Sequence, residues 1–540
     1  MPSALGQNTS QANLDAAASS PRWIHLILPS VTDLIFIVVL FSLSYSALSS
    51  RLLGDAGIGW HIRNGELMLR THAVTRVDPF SYTMSGRPWV AWEWLYDVII
   101  GGIHQWLGLN GVVFFTAIVI ACTFALTFRI LLARGSLVQI SLVLLLLAMG
   151  AAMIHFLARP HVLSWLFTLW FHLLDLAEVS PEKRKRLFFL PLLMLLWVNL
   201  HGGFLFGLAL LGLYWIAAVI GYWRNKDSQA RRASRLWIKQ LSVVAMLSFL
   251  ATFLNPQGYK LHVHIYHYLS NRFLMNHIDE FRSPDFHGVA QECFAILLVV
   301  TIIAFYVAHG KVRASQLLVV LFASYSGLFA SRNLPVASIL LILVAGPLLS
   351  AAVRDAANNS ELPTWTRRFL SRCSSFAMRM GGLEQRLHGH LWPVVAVIFG
   401  LFVCIQAGKI GSHQLMSTHF DDKRFPVQAA EVFAERGIHQ PIFTLDSWGG
   451  YFIYRFYPNM KVFVDDRHDL YGEEFLREYL TAIRLAPGWD KVLDERHINW
   501  VLMPWGSSLA NMLEVTRRWR VAYSDQVAVL LERKQGAGSK

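Results

Sequence analysis

Asp55 lies in a glycine-rich turn, residues 54–59, shortly after the first long apolar run of the chain. The turn continues into a segment that holds His61, Arg63 and Glu66 beside aromatic side chains. In hydrocarbon each unsatisfied polar group would cost several kcal/mol, so this segment must form a polar site at a membrane surface. A carboxylate placed there can take a proton from a hydroxyl group, which makes Asp55 the first candidate catalytic residue. Its other interpretation is a cap on the helix that follows.

Arginines near the ends of apolar runs are candidates for binding a phosphate group. A guanidinium can hold a phosphate through two parallel hydrogen bonds, whereas a lysine offers a point charge. The alternative is that each side chain extends to the interface to keep its charge in water. Arg159 and Arg332 are each followed closely by proline at a span boundary, which favours the phosphate role for them. The candidate substrate-binding residues of this kind are Arg63, Arg159, Arg282 and Arg332, together with Asn333.

Three histidines, His61, His161 and His201, occur in turns of the same polar character. Imidazole and carboxylate ligands suit Zn²⁺ or Mn²⁺, so these residues with Asp55 are one possible metal site. They have no compact ligand spacing, so hydrogen bonding at the membrane interface is the favoured interpretation. We keep them as candidate substrate-binding residues, with Mg²⁺ or Mn²⁺ bound loosely at Asp55 as the cofactor to consider.

The composition requires a membrane to position these residues. Of the 540 residues, 54% are hydrophobic and 15% are charged, and the mean hydropathy is +0.42. The net charge of +13 is carried largely in short loops between apolar runs. There it sets membrane topology, so the expected partner is the lipid bilayer and not nucleic acid. The four cysteines have no paired or metal-ligand spacing and imply no disulfide framework.

Apolar runs predict about eleven spans, on the rule of roughly twenty apolar residues per span. Residues 92–108 are better interpreted as an interfacial helix anchored by tryptophans, because a twelfth span would break the alternation of basic loops. The basic loops then share the cytoplasmic face, with the N-terminus inside and the chain after 411 outside, as in a bacterial inner-membrane protein. The runs are 34–48, 111–131, 136–156, 161–178, 187–200, 203–223, 236–254, 289–308, 316–331, 334–353 and 391–411.

The same topology puts the chemically distinctive turns together on the outer face, where they could converge on one cavity. A site that opens away from the cytoplasm is typical of an enzyme or a transporter. The turns are 55–87, 158–161, 199–203, 255–259, 280–286 and 331–335.

The sequence divides into a mostly disordered cytoplasmic N-terminus, 1–30, a membrane region, 31–411, with a first outer loop, 50–110, and a soluble domain, 412–540. In the last of these, short apolar strands at 441–445, 461–464, 499–503 and 527–531 alternate with helices near 426–436, 472–485 and 507–517. The predicted fold is therefore a mainly α, polytopic transmembrane bundle with an extracytoplasmic α/β domain. Aspartates at its strand ends, including Asp465 and Asp466, could contact a glycan; equally, Asp465 and Arg467 could simply pair.

Several motifs resemble a known family. They are WHIRNGE at 60–66, DPFSYT at 78–83, WEWL at 92–95, WGGY at 448–451 and VFVDDR at 462–467. With the early outer-loop aspartate and the C-terminal outer domain, the chain resembles the GT-C superfamily of membrane glycosyltransferases. It is most similar to bacterial multi-pass relatives of the protein O-mannosyltransferases.

The resemblance implies transfer of a sugar, with inversion, from a polyprenyl-phosphate donor to a glycan, lipid or protein acceptor outside the membrane. Asp55 matches the carboxylate that acts there as base or binds acceptor or metal. Many members carry a second acidic residue beside it, whereas here the neighbours are Gly54 and Ala56; Glu66 or Glu93 would have to supply it after folding. The alternative class is a non-catalytic transporter, channel or assembly subunit for envelope glycans. Few charges inside spans and no evident repeat favour the enzyme.

Overall fold

The computed structural model describes residues 22–45, 48–308, 310, 312–387, 389–438 and 441–534. Most of the predicted N-terminal tail, 1–30, therefore lies outside the described residues. The described part is mainly helical, as the apolar periodicity predicts. The membrane region contains the helices α1 (Arg22–Ile27), α2 (Val31–Ser44), α3 (Gly57–Thr71), α4 (Trp94–Ala133), α5 (Val138–Ala152), α6 (His161–Thr168), α7 (Phe171–Val179), α8 (Leu190–Leu200), α9 (Phe204–Arg224), α10 (Ser228–Ala251), α11 (Tyr259–Ser270), α12 (Arg272–His277), α13 (Val289–Val307), α14 (Ala314–Phe329), α15 (Leu334–Asn358), α16 (Thr364–Arg386) and α17 (Leu391–Ile405).

Each of the eleven apolar runs contains a helix in the part that the structure describes. By length and composition, seven helical segments of the described chain can cross a membrane, and the apolar helices α14 and α17 are shorter. The remaining two runs lie in α8 and α10, which are helical but are not among the segments that can cross a membrane by length and composition. The reason is that α8 has only 11 residues and α10 begins with a basic stretch. The seven segments are His25–Ser44, Trp94–Ala133, Val138–His155, His161–Val179, Phe204–Arg224, Val289–Val307 and Ser331–Asn358.

The predicted interfacial segment 92–108 forms the first part of α4. Gly108 interrupts the helix there with a φ of 59°, a left-handed conformation that glycine adopts without strain. The helical axis therefore changes at the boundary between the interfacial segment and the following span.

Several of the basic loops meet at one end of the bundle. Arg134 pairs with Asp175 at 2.8 Å, and Arg313 pairs with both Asp175 and Glu178. Arg354 donates to the backbone oxygen of Gly135 at 2.8 Å. The basic loops that their charge assigned to one face of the membrane therefore contact one another.

The C-terminal part combines a mixed sheet with five helices. The sheet order is β3-β4-β6-β5; β3 and β4 are parallel, and the other pairs are antiparallel. The prediction that residues 461–464 form a strand of this sheet is wrong. Val462 instead makes an isolated parallel bridge to Ser81 of the first loop. The helices Asp446–Phe456 (α19) and Trp489–Glu495 (α21) and the strand Trp519–Ser524 (β5) were not predicted from the sequence. The elements are β1 (Lys409–Ile410), β2 (His413–Gln414), α18 (Val427–Arg436), β3 (Ile442–Thr444), α19 (Asp446–Phe456), α20 (His468–Ile483), α21 (Trp489–Glu495), β4 (Trp500–Pro504), α22 (Ser508–Val515), β5 (Trp519–Ser524) and β6 (Ala528–Arg533).

Glycines let the C-terminal part pack directly on α3. A Cβ added at Gly59 would lie 2.0 Å from the backbone oxygen of Gly450, and one added at Gly450 would lie 2.2 Å from that of Ala56. No side chain fits at such distances, so the backbones of α3 and α19 are in contact. This packing explains the Gly-Gly pair of the WGGY motif and brings the chain after 412 against the Asp55 turn.

A buried arginine completes this contact. Arg467 forms ion pairs with Asp465 at 2.7 Å and with Asp78 of the first loop at 2.8 Å, and all three side chains are almost fully buried. Its guanidinium also lies 4.6 Å from the ring centroid of Trp89. Of the two interpretations left open by the sequence, the structure shows the pairing of Asp465 with Arg467.

Candidate active site

The carboxylate of Asp55 contacts an arginine from a different turn. Arg159 Nη1 donates to Asp55 Oδ2 at 2.7 Å and to Asp466 Oδ2 at 3.1 Å. One guanidinium group thus joins an aspartate from the first loop to an aspartate from the segment between α19 and α20 of the C-terminal part. The second acidic residue beside Asp55 is Asp466, which is distant in sequence.

The other oxygens of the two carboxylates are held as well. Asp55 Oδ1 accepts a hydrogen bond from the backbone N–H of Gly57 at 2.8 Å, so the capping interpretation of Asp55 is also partly correct. Asp466 Oδ1 accepts from Trp60 Nε1 at 2.8 Å. Burial raises the pKa of Asp466 to about 7; Arg159 opposes this change, and the negative charge of Asp55 adds to it.

A cavity of 470 Å³ opens over this group, which we call the carboxylate cavity. Asp55 and Asp466 form part of its wall beside Lys423, Arg424 and Trp505. It therefore combines two carboxylates, two cationic side chains that reach solvent and an exposed aromatic ring, which suits a polar ligand such as a sugar phosphate.

A second cavity, of 310 Å³, is lined mainly by apolar and aromatic side chains and includes Glu93, His201, Arg332 and Asn333. We call it the Glu93 cavity. His201 Nδ1 accepts from the backbone N–H of Gly203 at 3.0 Å, so a neutral ring carries its proton on Nε2, which lies 3.6 Å from Glu93. Burial raises the pKa of Glu93 to about 8, although the charge of Arg159 lowers it. Glu93 is therefore mostly protonated at neutral pH and is able to donate a hydrogen bond.

Arg332 is paired at the edge of that cavity. Its Nη1 lies 3.2 Å from Glu280 Oε1, and its guanidinium lies 4.3 Å from the ring centroid of Phe281. Burial alone would raise the pKa of Glu280, but the positive charges of Arg332 and Arg159 outweigh it and lower the pKa to about 2. The charges of Arg159 and Arg332 both reach the Glu93 cavity, so the two cavities are electrostatically coupled through Arg159.

His61 is buried away from both cavities, whereas His161 is half-buried. His61 is fully buried, and its Nδ1 lies 2.5 Å from Asp97 Oδ1. Burial holds the pKa of His61 well below its ordinary value, so the ring is neutral. His161 Nε2 donates to the backbone oxygen of His155 at 2.8 Å and borders a small space of 30 Å³ shared with His201 and Arg332. These contacts make both histidines supports for the walls of the cavities.

Three other candidates have separate partners. Arg63 Nη1 donates to Glu66 at 2.7 Å and its Nε donates to the backbone oxygen of Tyr454, while Glu66 also contacts His104 at 2.7 Å. This cluster ties α3 to α19. Arg282 is exposed and pairs weakly with Asp279 at 3.4 Å. Neither Glu66 nor Arg282 contacts the Asp55–Arg159–Asp466 group, so the expectation that Glu66 supplies the second carboxylate has no support from the contacts.

The Asp55–Arg159–Asp466 group, as it is arranged, does not fit a divalent cation. Asp55 and Asp466 are oxygen ligands of the type that Mg²⁺ and Mn²⁺ prefer. Each of their four oxygens already accepts a hydrogen bond, and Arg159 lies at the position between them where a cation would bind. In the described ranges, no cluster of three or more His, Cys, Asp or Glu side chains could hold a metal ion.

Lys423 and Arg424 were not expected at the site, and Asp466 was expected only as a possible glycan contact at a strand end of the C-terminal domain. The DD pair of VFVDDR was a signal for Asp466, because adjacent acidic residues after an apolar stretch often mark a site. Lys423 and Arg424 carried no signal, since two exposed basic residues in a polar linker are ordinary.

Comparison with known proteins rests on structure. No protein-family model and no curated sequence matches the chain. The archaeal oligosaccharyltransferase AglB from Archaeoglobus fulgidus, in complex with an inhibitory peptide and a dolichol-phosphate, superposes with a TM-score of 0.56 at 10% identity, over 94% of this chain and 74% of that one. The chain has the GT-C fold.

The apo form of the Archaeoglobus fulgidus oligosaccharyltransferase gives a TM-score of 0.53 at 11% identity, with the same coverage of 94% and 74%. ArnT from Cupriavidus metallidurans bound to undecaprenyl phosphate gives 0.47 at 14% identity, over 94% of this chain and 99% of that one. The likeness to the two Archaeoglobus fulgidus structures confirms the fold predicted from the motifs. At these identities the likeness concerns the fold alone, and the chemistry of this chain must be argued from its own side chains.

Proposed function

We propose that the protein is an integral membrane glycosyltransferase that moves a sugar from a polyprenyl-phosphate donor to an acceptor hydroxyl, with inversion at the anomeric carbon. The observation that carries this proposal is the Asp55–Arg159–Asp466 group, which places two carboxylates, joined by the guanidinium of Arg159, at the wall of a polar cavity on a membrane-embedded bundle. General base catalysis needs such a carboxylate within reach of the acceptor.

In the proposed reaction the acceptor oxygen bonds to the anomeric carbon while the bond from that carbon to the phosphate oxygen breaks. Asp55 takes the acceptor proton, and the polyprenyl phosphate leaves with the electron pair. Because a phosphate is a stable anion, its departure needs positive charge and hydrogen bonds more than a strong acid. Arg159 orients the Asp55 carboxylate and supplies positive charge close to the bond that breaks.

The Glu93 cavity suits the donor. Its wall is mainly apolar, and Arg332, His201 Nε2 and protonated Glu93 can supply a cation and hydrogen-bond donors to a phosphate. Asn333 borders the same space. Support comes from the neighbour AglB, which has been solved in complex with a dolichol-phosphate.

We place the protein in a bacterial cytoplasmic membrane, with the N-terminus inside and the chain after 411 outside. The contacts among the basic loops support this orientation, since positively charged loops are retained in the cytoplasm. The cavities then open toward the outer face, where a flipped polyprenyl-phosphate sugar is available. A transporter or scaffold would not require the carboxylates of Asp55 and Asp466 to share an arginine.

Purified protein in nanodiscs should release radiolabelled sugar from a panel of polyprenyl-phosphate donors in the presence of membrane extract. Asp55→Asn should lower the rate by about 10²- to 10⁴-fold, the usual contribution of a general base. Asp490→Asn is the matched control, because Asp490 is exposed on the C-terminal domain. Equal rates in folded Asp55→Asn and wild type would remove Asp55 from the chemistry, and donors left intact by wild type would reject the proposed function.

A further inference from the structure

A second apolar space opens between two spanning helices on the other side of Gly54. It has a volume of 440 Å³ and lies between α2 and the end of α5, with Val38, Leu43, Met149 and Met153 in its wall. Val38 is 61% exposed and Met153 46% exposed, although both belong to apolar spanning segments. Exposed apolar side chains at this depth face lipid tails, so this space, the α2–α5 groove, is open to the bilayer.

The polar end of the groove is basic. Arg51 and Arg424 line it, and Lys423 lies beside Arg424 in the adjoining carboxylate cavity. All three side chains are exposed, and none forms an ion pair with another described residue. Asp421 also borders the groove, but its carboxylate accepts from the backbone N–H of Lys423 at 3.0 Å. An apolar groove that ends at unpaired cations complements a lipid with an anionic headgroup.

The groove is continuous with the proposed base. Gly54 and Arg424 line both the groove and the carboxylate cavity, and Asp55 is the next residue after Gly54. A headgroup held by Arg51 and Arg424 would therefore present its hydroxyl groups to Asp55. In contrast, the Glu93 cavity lies beyond Arg159 and borders Arg332.

We infer that the α2–α5 groove binds the acceptor, and that this acceptor is an anionic membrane lipid with a free headgroup hydroxyl. The inference rests on the proposed function: the donor lipid is assigned to the Glu93 cavity, so a second bilayer-facing groove beside the base is left for the acceptor. A soluble or protein acceptor would need no apolar groove. The lipid hydroxyl loses its proton to Asp55 and forms the new bond to the anomeric carbon, and the products are a glycosylated anionic lipid and polyprenyl phosphate.

The first test follows the label. Full-length protein in nanodiscs receives labelled polyprenyl-phosphate sugar and a total membrane extract. Because the donor is itself an anionic lipid, it is first removed by chromatography against a donor standard, and the products are then separated into anionic lipid, neutral lipid, protein and polysaccharide fractions. Label in the anionic lipid fraction is expected. Donor consumed with label in any other fraction would overturn the inference while leaving the proposed function intact, whereas an unconsumed donor would reject the proposed function itself.

The second test measures binding without catalysis. A photoreactive phosphatidylglycerol in phosphatidylcholine nanodiscs should crosslink to peptides that contain residues 38–54 or 149–157. Met153→Trp, which fills the groove, and Arg424→Gln should each lower this crosslinking at least about fivefold. Val143→Trp on the lipid-facing side of α5 and Arg87→Gln in the first loop are the controls, and both should crosslink like wild type. Equal crosslinking in all four variants would overturn the assignment of the groove.

Discussion

Replacing Arg159 with methionine tests whether the shared guanidinium keeps the carboxylate pair ionised. Arg159 bonds Asp55 at 2.7 Å and Asp466 at 3.1 Å. Burial raises the pKa of Asp466 to about 7, and the charge of Arg159 is the strongest influence that lowers it. A cation at such distances lowers a carboxyl pKa by about 1 to 3 units, so its removal should raise the pKa of Asp466 by a similar amount. This change corresponds to about 1.4 to 4 kcal/mol in the free energy of ionising the carboxyl group.

The assay is the rate of sugar transfer as a function of pH. If the pair must be ionised, wild-type activity falls as the pH decreases through about 7. The acid limb of the pH–rate profile of Arg159→Met should lie about 1 to 3 pH units higher than that of the wild type. At pH values on the acid limbs of both profiles, the variant should therefore transfer sugar about 10- to 1000-fold more slowly. Arg159→Lys keeps the charge and should move the limb by less than about one unit. An unchanged acid limb in folded Arg159→Met would refute this electrostatic reasoning.

Stability provides a readout that does not depend on activity. The pKa of Asp466 is higher in the folded chain than its ordinary value of 3.8, so the folded state binds the proton more tightly. By linkage, the contribution of Asp466 to the free energy of unfolding is present at low pH and is lost as the pH rises from about 4 to about 7. In Arg159→Met this decline should continue above pH 7, which thermal unfolding across the pH range would measure.

Three further predictions concern the surroundings of the site. Gly450→Ala should destabilise the protein by about 1 to 3 kcal/mol, because the new Cβ would lie 2.2 Å from the backbone oxygen of Ala56; Gly212→Ala, with open space around it, is the control for thermal unfolding. Transfer should persist in EDTA, since Arg159 already joins the two carboxylates; loss that Mn²⁺ restores would show that a cation displaces it. Because the pKa of Glu93 is raised to about 8, Glu93→Gln should match wild-type donor binding at pH 6 and exceed it at pH 9, and equal pH profiles would exclude this role for Glu93.

Some of the site could be predicted from short stretches of sequence. Asp55 was proposed because its polar segment could not lie in hydrocarbon, and Arg159 and Arg332 because an arginine near the end of a span can hold a phosphate. Each of the three has a charged partner in the structure. The same argument grouped Arg63 and Arg282 with them. Their partners, Tyr454 and Asp279, show that a costly charge can equally serve packing or lie at the surface.

Other features depended on contacts that no local pattern encodes. Asp466 reaches Asp55 because α19 packs against α3 through glycine backbones, and this packing brings the segment after 461 against the first loop. A strand pattern at 461–464 predicted a place in the sheet, but the backbone of Val462 there donates to the carbonyl oxygen of Phe80 and accepts from the N–H of Tyr82. Apolar alternation fixes which side chains are buried and leaves the pairing partner open.

By itself the sequence determined the polytopic helical fold, since each apolar run must satisfy its backbone within a helix in hydrocarbon. It also predicted that the polar turns share one face, because charge bias sets the side on which each loop lies. The tertiary structure decided which carboxylate accompanies Asp55, which arginines remain unpaired and where the α2–α5 groove opens. Those are properties of side chains separated by hundreds of residues, and their distances depend on close packing of backbones that the sequence pattern does not specify.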